Sequence, residues 1–302
     1  MSKPKKNRRF NRFNDAFVKY ILSNKLLLIN LLNAIFAEYR PPCVKGDITD
    51  VTYGDRELIA FHSNEKVGRL DIFATTSEGQ IIDVEVQCRV DNALLARDLF
   101  YFSRIYATQK IEGKEYDQAK PVIIINLLKE NHFHDRDDYI RSYSMRDDKT
   151  YELMKDNKIF FICIEARKCV KLGDKDKNHL IRWMHFFSNI SQKNDAELAE
   201  KDEVIKLLLE AEKMFKRNDD NMKEYTALEE MQDELEWEKQ KSKKEMKARE
   251  QEYKKEMRER KECELNSKIE SVKKMQADGF TLDAIKKYIN ITDRQLAKAG
   301  LC

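Results

Sequence analysis

The stretch Gly68–Gln87, GRLDIFATTSEGQIIDVEVQ, decides the fold. Two runs rich in Ile, Val, Phe and Thr flank the polar segment Ser77-Glu78-Gly79, the signature of a β-hairpin. By the two-residue period of a strand, Ile82, Val84 and Val86 share one face of the second run, and Asp83, Glu85 and Gln87 share the other. A half-buried strand ordinarily turns its polar face to water. On the first run Leu70, Ile72 and Ala74 are apolar, and Asp71 stands on the alternate face. A three-residue loop at Ser77-Glu78-Gly79, with glycine supplying a positive φ, pairs Thr76 with Gln80. Counting back along both strands then sets Asp71 opposite Glu85. Opposed residues have Cβ atoms roughly 5 Å apart, and like charges there repel. Two ionised carboxylates at that separation require a cation between them, or one of them must hold a proton. A two- or four-residue loop slips the register by one and sends Asp71 to the other face. The carboxylate pairing therefore depends on an odd-length loop.

Upstream of the hairpin, Phe17, Ile21, Leu22, Leu28, Leu31, Leu32 and Ile35 form the apolar face of a helix with a break near Ser23-Asn24. Asn14 or Asp15 caps its start, and Pro41-Pro42 stops it. Residues 47–62 read as extended, anchored by Val51, Leu58 and Phe61. Downstream, a helix from Asp91-Asn92 to about Gln109 carries Leu95, Leu99, Phe102 and Tyr106 as its buried stripe. Arg97, Tyr101, Arg104 and Thr108 fall together on another face. That face suits a nucleic-acid backbone, and equally a solvated surface with i,i+4 contacts. Val122–Leu128 and Ile159–Ile164 are continuous apolar runs, as expected of fully buried strands. The helix between strands makes a right-handed crossover. A last helix, Asn178–Ile190, packs Leu180, Ile181, Met184 and Phe187. The sum is an α/β domain with a mixed sheet flanked by helices.

An Asp on one strand followed by Glu-x-Gln on the next resembles the PD-(D/E)xK nuclease superfamily, whose signature is an acid, a variable gap, then Asp/Glu-x-Lys. More narrowly the chain resembles the recombination-promoting nuclease, or transposase-like, family within it. There Arg-Leu-Asp, a short loop and Glu-x-Gln precede a helix rich in Arg, Tyr and Gln. Here the pieces are Arg69-Leu70-Asp71, Glu85-Val86-Gln87, and Arg97, Tyr101, Tyr106 and Gln109. The opening segment stands as Asn14-Asp15-Ala16-Phe17-Val18-Lys19, and the core strand as Lys120–Asn126. The resemblance covers residues 10–190, and it is the order and spacing together that make it specific.

The resemblance implies a restriction-endonuclease-like core and a DNA endonuclease that hydrolyses phosphodiesters with Mg²⁺, or with Mn²⁺, in the service of DNA recombination. Asp71, Glu85 and Gln87 become the catalytic set. Asp71 and Glu85 become metal ligands, helped by a backbone carbonyl near Val86, with Asp15 as the matching third acid. Arg97, Tyr101 and Arg104 become the nucleic-acid contacts, with Arg97 at the scissile phosphate. Gln87 departs from the pattern, because a lysine stabilises hydroxide by its charge whereas a glutamine amide can only orient water. Lys19, Arg69 and Arg97 are the candidates to supply that charge. Two other readings stand beside this one. A catalytically degenerate nuclease fold would grip DNA or a protein partner without cutting. More plainly, Asp71 and Glu85 would pair at the surface with Arg69 and Arg89.

Charged residues make up 37% of the 302, against about a quarter in ordinary domains, which points to a long solvated segment. The net charge of +3 is too small to argue for nucleic acid by itself. Residues 1–12 form a basic arm with Lys3, Lys5, Lys6, Arg8, Arg9 and Arg12 and no acid, either disordered or phosphate-contacting. Six cysteines without short paired spacing signal neither a zinc site nor a disulfide framework. With no run near about 18 apolar residues and no signal-peptide core, a cytoplasmic protein without a membrane partner is expected. His132-Phe133-His134-Asp135 reads as a polar loop lacking a third metal ligand.

After Asn194 the composition shifts. Leu207, Ala211, Met214, Asn218, Asn221, Tyr225, Leu228, Gln232 and Leu235 trace a heptad seam, so 195–235 reads as a coiled coil for a homodimer or a protein partner. Residues 236–275 read as a charged helical spacer, or the whole as one solvated helix. Two short helices end the chain, with Thr281 and Thr292 as caps and Asn290 as a stop. Asp283 and Asp293 carry the wrong sign for a phosphate backbone. The domains expected are an arm at 1–12, a nuclease-like domain at 13–192, a charged helix at 193–275 and a tail at 276–302.

Overall fold

The hairpin lies inside a larger sheet. β1 (Val51–Tyr53), β2 (Ile72–Thr76), β3 (Ile81–Gln87), β4 (Val122–Leu128), β5 (Ile140–Ser144) and β6 (Ile159–Glu165) hydrogen-bond in the order β1-β2-β3-β4-β6-β5. This computed structural model describes residues 9–55, 70–88, 93–109, 116–172, 178–189, 199–200 and 202–301. β3, β4 and β6 are parallel, and the remaining pairings are antiparallel. β4 and β6 are buried along their whole length, as their unbroken apolar runs demand. The edge strand β5, IRSYS, was not foreseen, since it has neither a strict alternation nor an apolar run. Leu58 and Phe61, expected as extended anchors, lie outside the described residues.

The loop is the three-residue one. Ile72 pairs with Val84 and Thr75 with Ile81, Thr76 N donates to Gln80 O at 2.9 Å, and Gly79 has φ +91°. A side chain there would carry the steric cost of positive φ.

The helices are α1 (Asp15–Leu22), α2 (Lys25–Glu38), α3 (Leu94–Ala107), α4 (Ala166–Lys171), α5 (His179–Ser188), α6 (Glu203–Arg217), α7 (Asp219–Ala277), α8 (Leu282–Tyr288) and α9 (Asp293–Lys298). α1 and α2 bend by 98° at the expected break, where the Asn24 side chain caps α2 by accepting from Leu26 N and Leu27 N. Asn14, not Asp15, caps α1, by accepting from Ala16 N. Among the described residues no single helix is long and apolar enough to cross a membrane. One sheet face, with Ile72, Ile82, Val84, Ile123 and Ile162, packs against α1, α2, α5 and α6. The opposite face takes α3, whose Ile105, Tyr101, Phe102 and Tyr106 meet Val122, Ile124 and Phe161.

Two helical faces differ from expectation. In α3 the buried positions are Leu94, Asp98 and Ile105, whereas Leu99, expected in the buried stripe, is exposed. The reason is that β3 presents Asp83 and Glu85 to α3, and the helix turns polar groups toward them. In α6 the buried residues are Ile205, Leu208, Glu212 and Phe215, while the heptad positions Leu207 and Met214 face outward. The coiled-coil seam therefore does not hold for this helix, whose apolar face packs into its own domain. Phe215 lies 5.1 Å from the rings of both Phe17 and Tyr20. Arg12, assigned above to a free arm, is buried, pairing with Glu212 at 2.7 Å and lying 4.2 Å over the Phe186 ring.

By its internal contacts the chain forms one unit through residue 230 and a second at 231–302. In the second, every residue from 234 to 256 is exposed. Pairs such as Glu250–Lys254 and Glu264–Lys268, at 2.5 and 2.9 Å, support the helix locally. Near its end Val272 buries itself with Ile285 and Leu296 of the two short helices and with Ile291 between them. Those helices are capped at Thr281 and Thr292 as expected.

The packing of α6 makes a prediction. Phe215→Ala should lower stability by about 3–5 kcal/mol in urea unfolding, while Met214→Ala stays within about 0.5 kcal/mol. Equal effects would return α6 to a seam between chains.

Candidate active site

Strand register brings the first two candidates together. Asp71 precedes β2 and Glu85 lies on β3, and each is held by the other's backbone. Asp71 N donates to Glu85 Oε1 at 3.1 Å, and Val86 N donates to Asp71 Oδ2 at 2.8 Å. Both carboxylates are buried. The cation that such a pair demands is Lys19, one helical turn after Asp15 on α1. Its Nζ lies 2.7 Å from Asp71 Oδ1 and 2.8 Å from Asp15 Oδ2. Asn14 starts the helix, and Cys88 Sγ donates to Phe13 O at 2.8 Å, tying the end of β3 to the entry of α1.

The electrostatics follow from burial. Asp15 is pushed above the ordinary carboxylate range by burial and then by the Asp71 charge, with Lys19 pulling the other way. Burial by itself would lower Lys19, but Asp71 and Asp15 outweigh it and hold the ammonium above its usual value. Glu85 is raised by burial and by Asp71. Asp15 Oδ1 is buried with no hydrogen-bond partner among the described residues.

Behind this pair is a layer that the sequence reading missed. Asp83 was expected to face water. It is instead fully buried under α3, and neither of its oxygens has a hydrogen-bond partner among the described residues. Burial, then Glu85, Asp71 and Asp98, push its carboxyl far up. Asp98 and Asn126 are also fully buried, with Asn126 Nδ2 donating to Asp98 Oδ2 at 2.7 Å. Arg97 has Nε and Nη2 buried and unpartnered, and its charge opposes the upward shifts of Asp83, Glu85 and Asp98. A signal for this layer was present: Asn126 interrupts the run VIIINLL, and a buried amide requires a polar partner.

Of the other candidates, Gln87 Nε2 lies 3.5 Å from Glu85 Oε2, at the limit of a hydrogen bond. Tyr101 is raised by burial and then by Glu85, so its hydroxyl shares the field of the acids. Arg104 lies 5.1 Å over the Phe100 ring. Arg69 and Arg89 are outside the described residues, as are Asp91 and Asn92. Asp135 of the His132–Asp135 loop pairs with Arg141, and the His132 and Phe133 N–H groups donate to Glu165.

Among the described residues no three His, Cys, Asp or Glu side chains form a ready ligand cluster. Asp71 and Asp15 are instead grouped around the Lys19 ammonium. The donor set nonetheless fits a hard divalent cation, since it is all oxygen and Asp15 Oδ1 is unclaimed.

Burial pushes Asp98 from an ordinary 3.8 up to about 6. The folded state therefore holds a proton that the unfolded chain has already released, and stability falls as pH rises through that window. Asp98→Asn keeps a carbonyl for Asn126 and removes the buried charge. It should raise stability at pH 7 by on the order of 2 kcal/mol and leave stability near pH 3.5 little changed. Chemical denaturation at both pH values checks this. A variant no more stable at pH 7 than the parent would contradict it.

A family model described as PD-(D/E)XK nuclease family transposase matches residues 12–245. No curated protein and no solved structure matches the chain. The matched segment carries the α/β core together with Asp15, Lys19, Asp71, Glu85 and Gln87. With the mixed sheet, the hairpin and most of the chain inside that match, the protein belongs to the PD-(D/E)XK nuclease family transposases.

Proposed function

We propose that this protein is a divalent-cation-dependent DNA endonuclease that hydrolyses phosphodiester bonds. The observation that carries the proposal is the Asp71–Glu85 pair, held in register across the hairpin by backbone N–H groups, with the Lys19 ammonium on Asp71. Asp71 and Glu85 would hold Mg²⁺ or Mn²⁺, with Asp15 beside them. The cation supplies Lewis-acid polarisation of the phosphate and a more acidic water.

The chain's own groups do the rest. The N–H groups of Asp71 and Val86 each grip one oxygen of a carboxylate, so both acids are oriented before substrate arrives. Arg97, with unpartnered N–H groups next to the acids, suits a phosphate oxygen. The Gln87 amide, neutral and half-buried, can orient water but adds no charge. The transposase part of the family description adds recombination as a setting for cleavage, and hydrolysis is the step these residues support.

Nicking of supercoiled plasmid with Mg²⁺ tests the proposal. Asp71→Ala and Glu85→Ala should each lower the rate by about 100-fold or more, the scale of losing one electrostatic group in a preorganised site. EDTA should abolish nicking. A wild-type protein that retards plasmid in a gel but never nicks it would favour the degenerate, DNA-gripping alternative.

A further inference from the structure

The family signature places a lysine two residues after the strand acid, and this chain has Gln87 there. The sequence offers three cations that could replace it, Lys19, Arg69 and Arg97. Arg69 lies outside the described residues. Arg97 is half-buried, and its charge opposes the upward shifts of Asp83, Glu85 and Asp98, but no described ion pair ties it to either of the opposed acids. Lys19 alone among the described cations is ion-paired to one of the two opposed acids, Asp71, while bridging to Asp15.

Its setting differs from that of a structural ion pair in three ways. The Lys19 side chain is 26% exposed, and that of Asp15 is 28% exposed, so the bridge opens to solvent on one side. A partly exposed pair is worth only about 1 kcal/mol or less, so a ligand present at a few times its dissociation constant can displace it. The lysine stem is flexible and its ammonium compact, so the charge can leave Asp71 while Asp15, one turn away, still anchors it. Acids also outnumber bases among the described residues here: Asp15, Asp71 and Glu85 share Lys19, and Asp83 and Asp98 lie behind them with Arg97, so burial and mutual repulsion push Asp83 and Glu85 toward their neutral forms.

We propose that Lys19 supplies from α1 the positive charge that Gln87 lacks on β3, and that the same ammonium competes with the divalent cation for Asp71. This rests on the endonuclease function proposed above. In the metal-free protein the ammonium neutralises the carboxylates and keeps them in place. With the cation loaded, the ammonium is released from Asp71, stays tethered by Asp15, and faces the negative charge of the substrate.

Two variants of the full chain separate this from a structural role. Lys19→Met keeps the apolar stem and removes the charge, and Lys19→Arg keeps the charge on a different head. In EDTA, Lys19→Met should melt below the wild type, and Mn²⁺ should raise its melting temperature more than that of the wild type. In Mn²⁺ calorimetry it should bind roughly fivefold more tightly, the equivalent of one exposed ion pair removed from competition. In the plasmid assay it should nick about 100-fold more slowly, with Lys19→Arg intermediate. Tighter metal binding joined to slower cleavage is a combination that a structural lysine does not produce. Unchanged or weaker Mn²⁺ affinity in Lys19→Met, or nicking equal to wild type, overturns the proposal. A wild type that binds Mn²⁺ but never nicks overturns the endonuclease function, and the affinity shift then still decides whether Lys19 competes with the metal.

Discussion

The repulsion between two carboxylates on one rung of a hairpin is the constraint from which the site grows. Asp71 and Glu85 face each other because the loop at Ser77–Gly79 has three residues and Gly79 accepts a positive φ. The compensation comes from α1, which sets Lys19 against Asp71, and from the hairpin backbone, whose N–H groups at Asp71 and Val86 each take one carboxylate oxygen. The placement of α1 thereby becomes an electrostatic requirement as well as a packing one. It is met by the Asn14 cap, by the thiol of Cys88 and by the aromatic contacts of Phe17.

Beneath that pair the molecule tolerates an unfavourable layer. Asp83, Asp98, Asn126 and Arg97 bring buried polar atoms that have no hydrogen-bond partner among the described residues into a region covered by α3. Each such group costs stability in a low-dielectric interior. Their persistence next to the opposed acids is what a functional site looks like when local rules are broken in one place and the rest of the fold compensates. The compensation is visible on the opposite face of the sheet, where α1, α2, α5 and α6 bury a continuous apolar core. The two-residue period of β3 thus puts Asp83 and Glu85 on one face and Ile82, Val84 and Val86 of the core on the other, while α1, packed on the core, reaches Asp71 through Lys19.

The helices after the core divide by what their apolar residues can reach. α6 belongs to the first unit because Ile205, Leu208 and Phe215 find the aromatic cluster around Phe17. Through its middle α7 offers almost nothing to bury, and it is sustained by charge pairs one turn apart. Its last turns regain a small core with the two terminal helices. That second unit lies mostly beyond the family match, which ends at residue 245.

Much was legible in the chain itself. Alternation and turn chemistry determined the hairpin, and with a three-residue loop, which the structure supplied, counting along the strands gives the Asp71–Glu85 register. Unbroken apolar runs determined β4 and β6, and cap residues determined the break at Asn24 and the terminal helices. What only the tertiary structure decided is which faces are covered, and by what. Asp83 and Asp98 read as solvent-facing or incidental until α3 closes over β3. Leu207 and Met214 form a plausible seam until the stronger apolar face of α6 meets the core. Lys19 and Asp71, 52 residues apart in sequence, meet only because the packing of α1 carries the lysine to the hairpin. Period and spacing act along one element, whereas burial and charge compensation are properties of elements distant in sequence meeting in space.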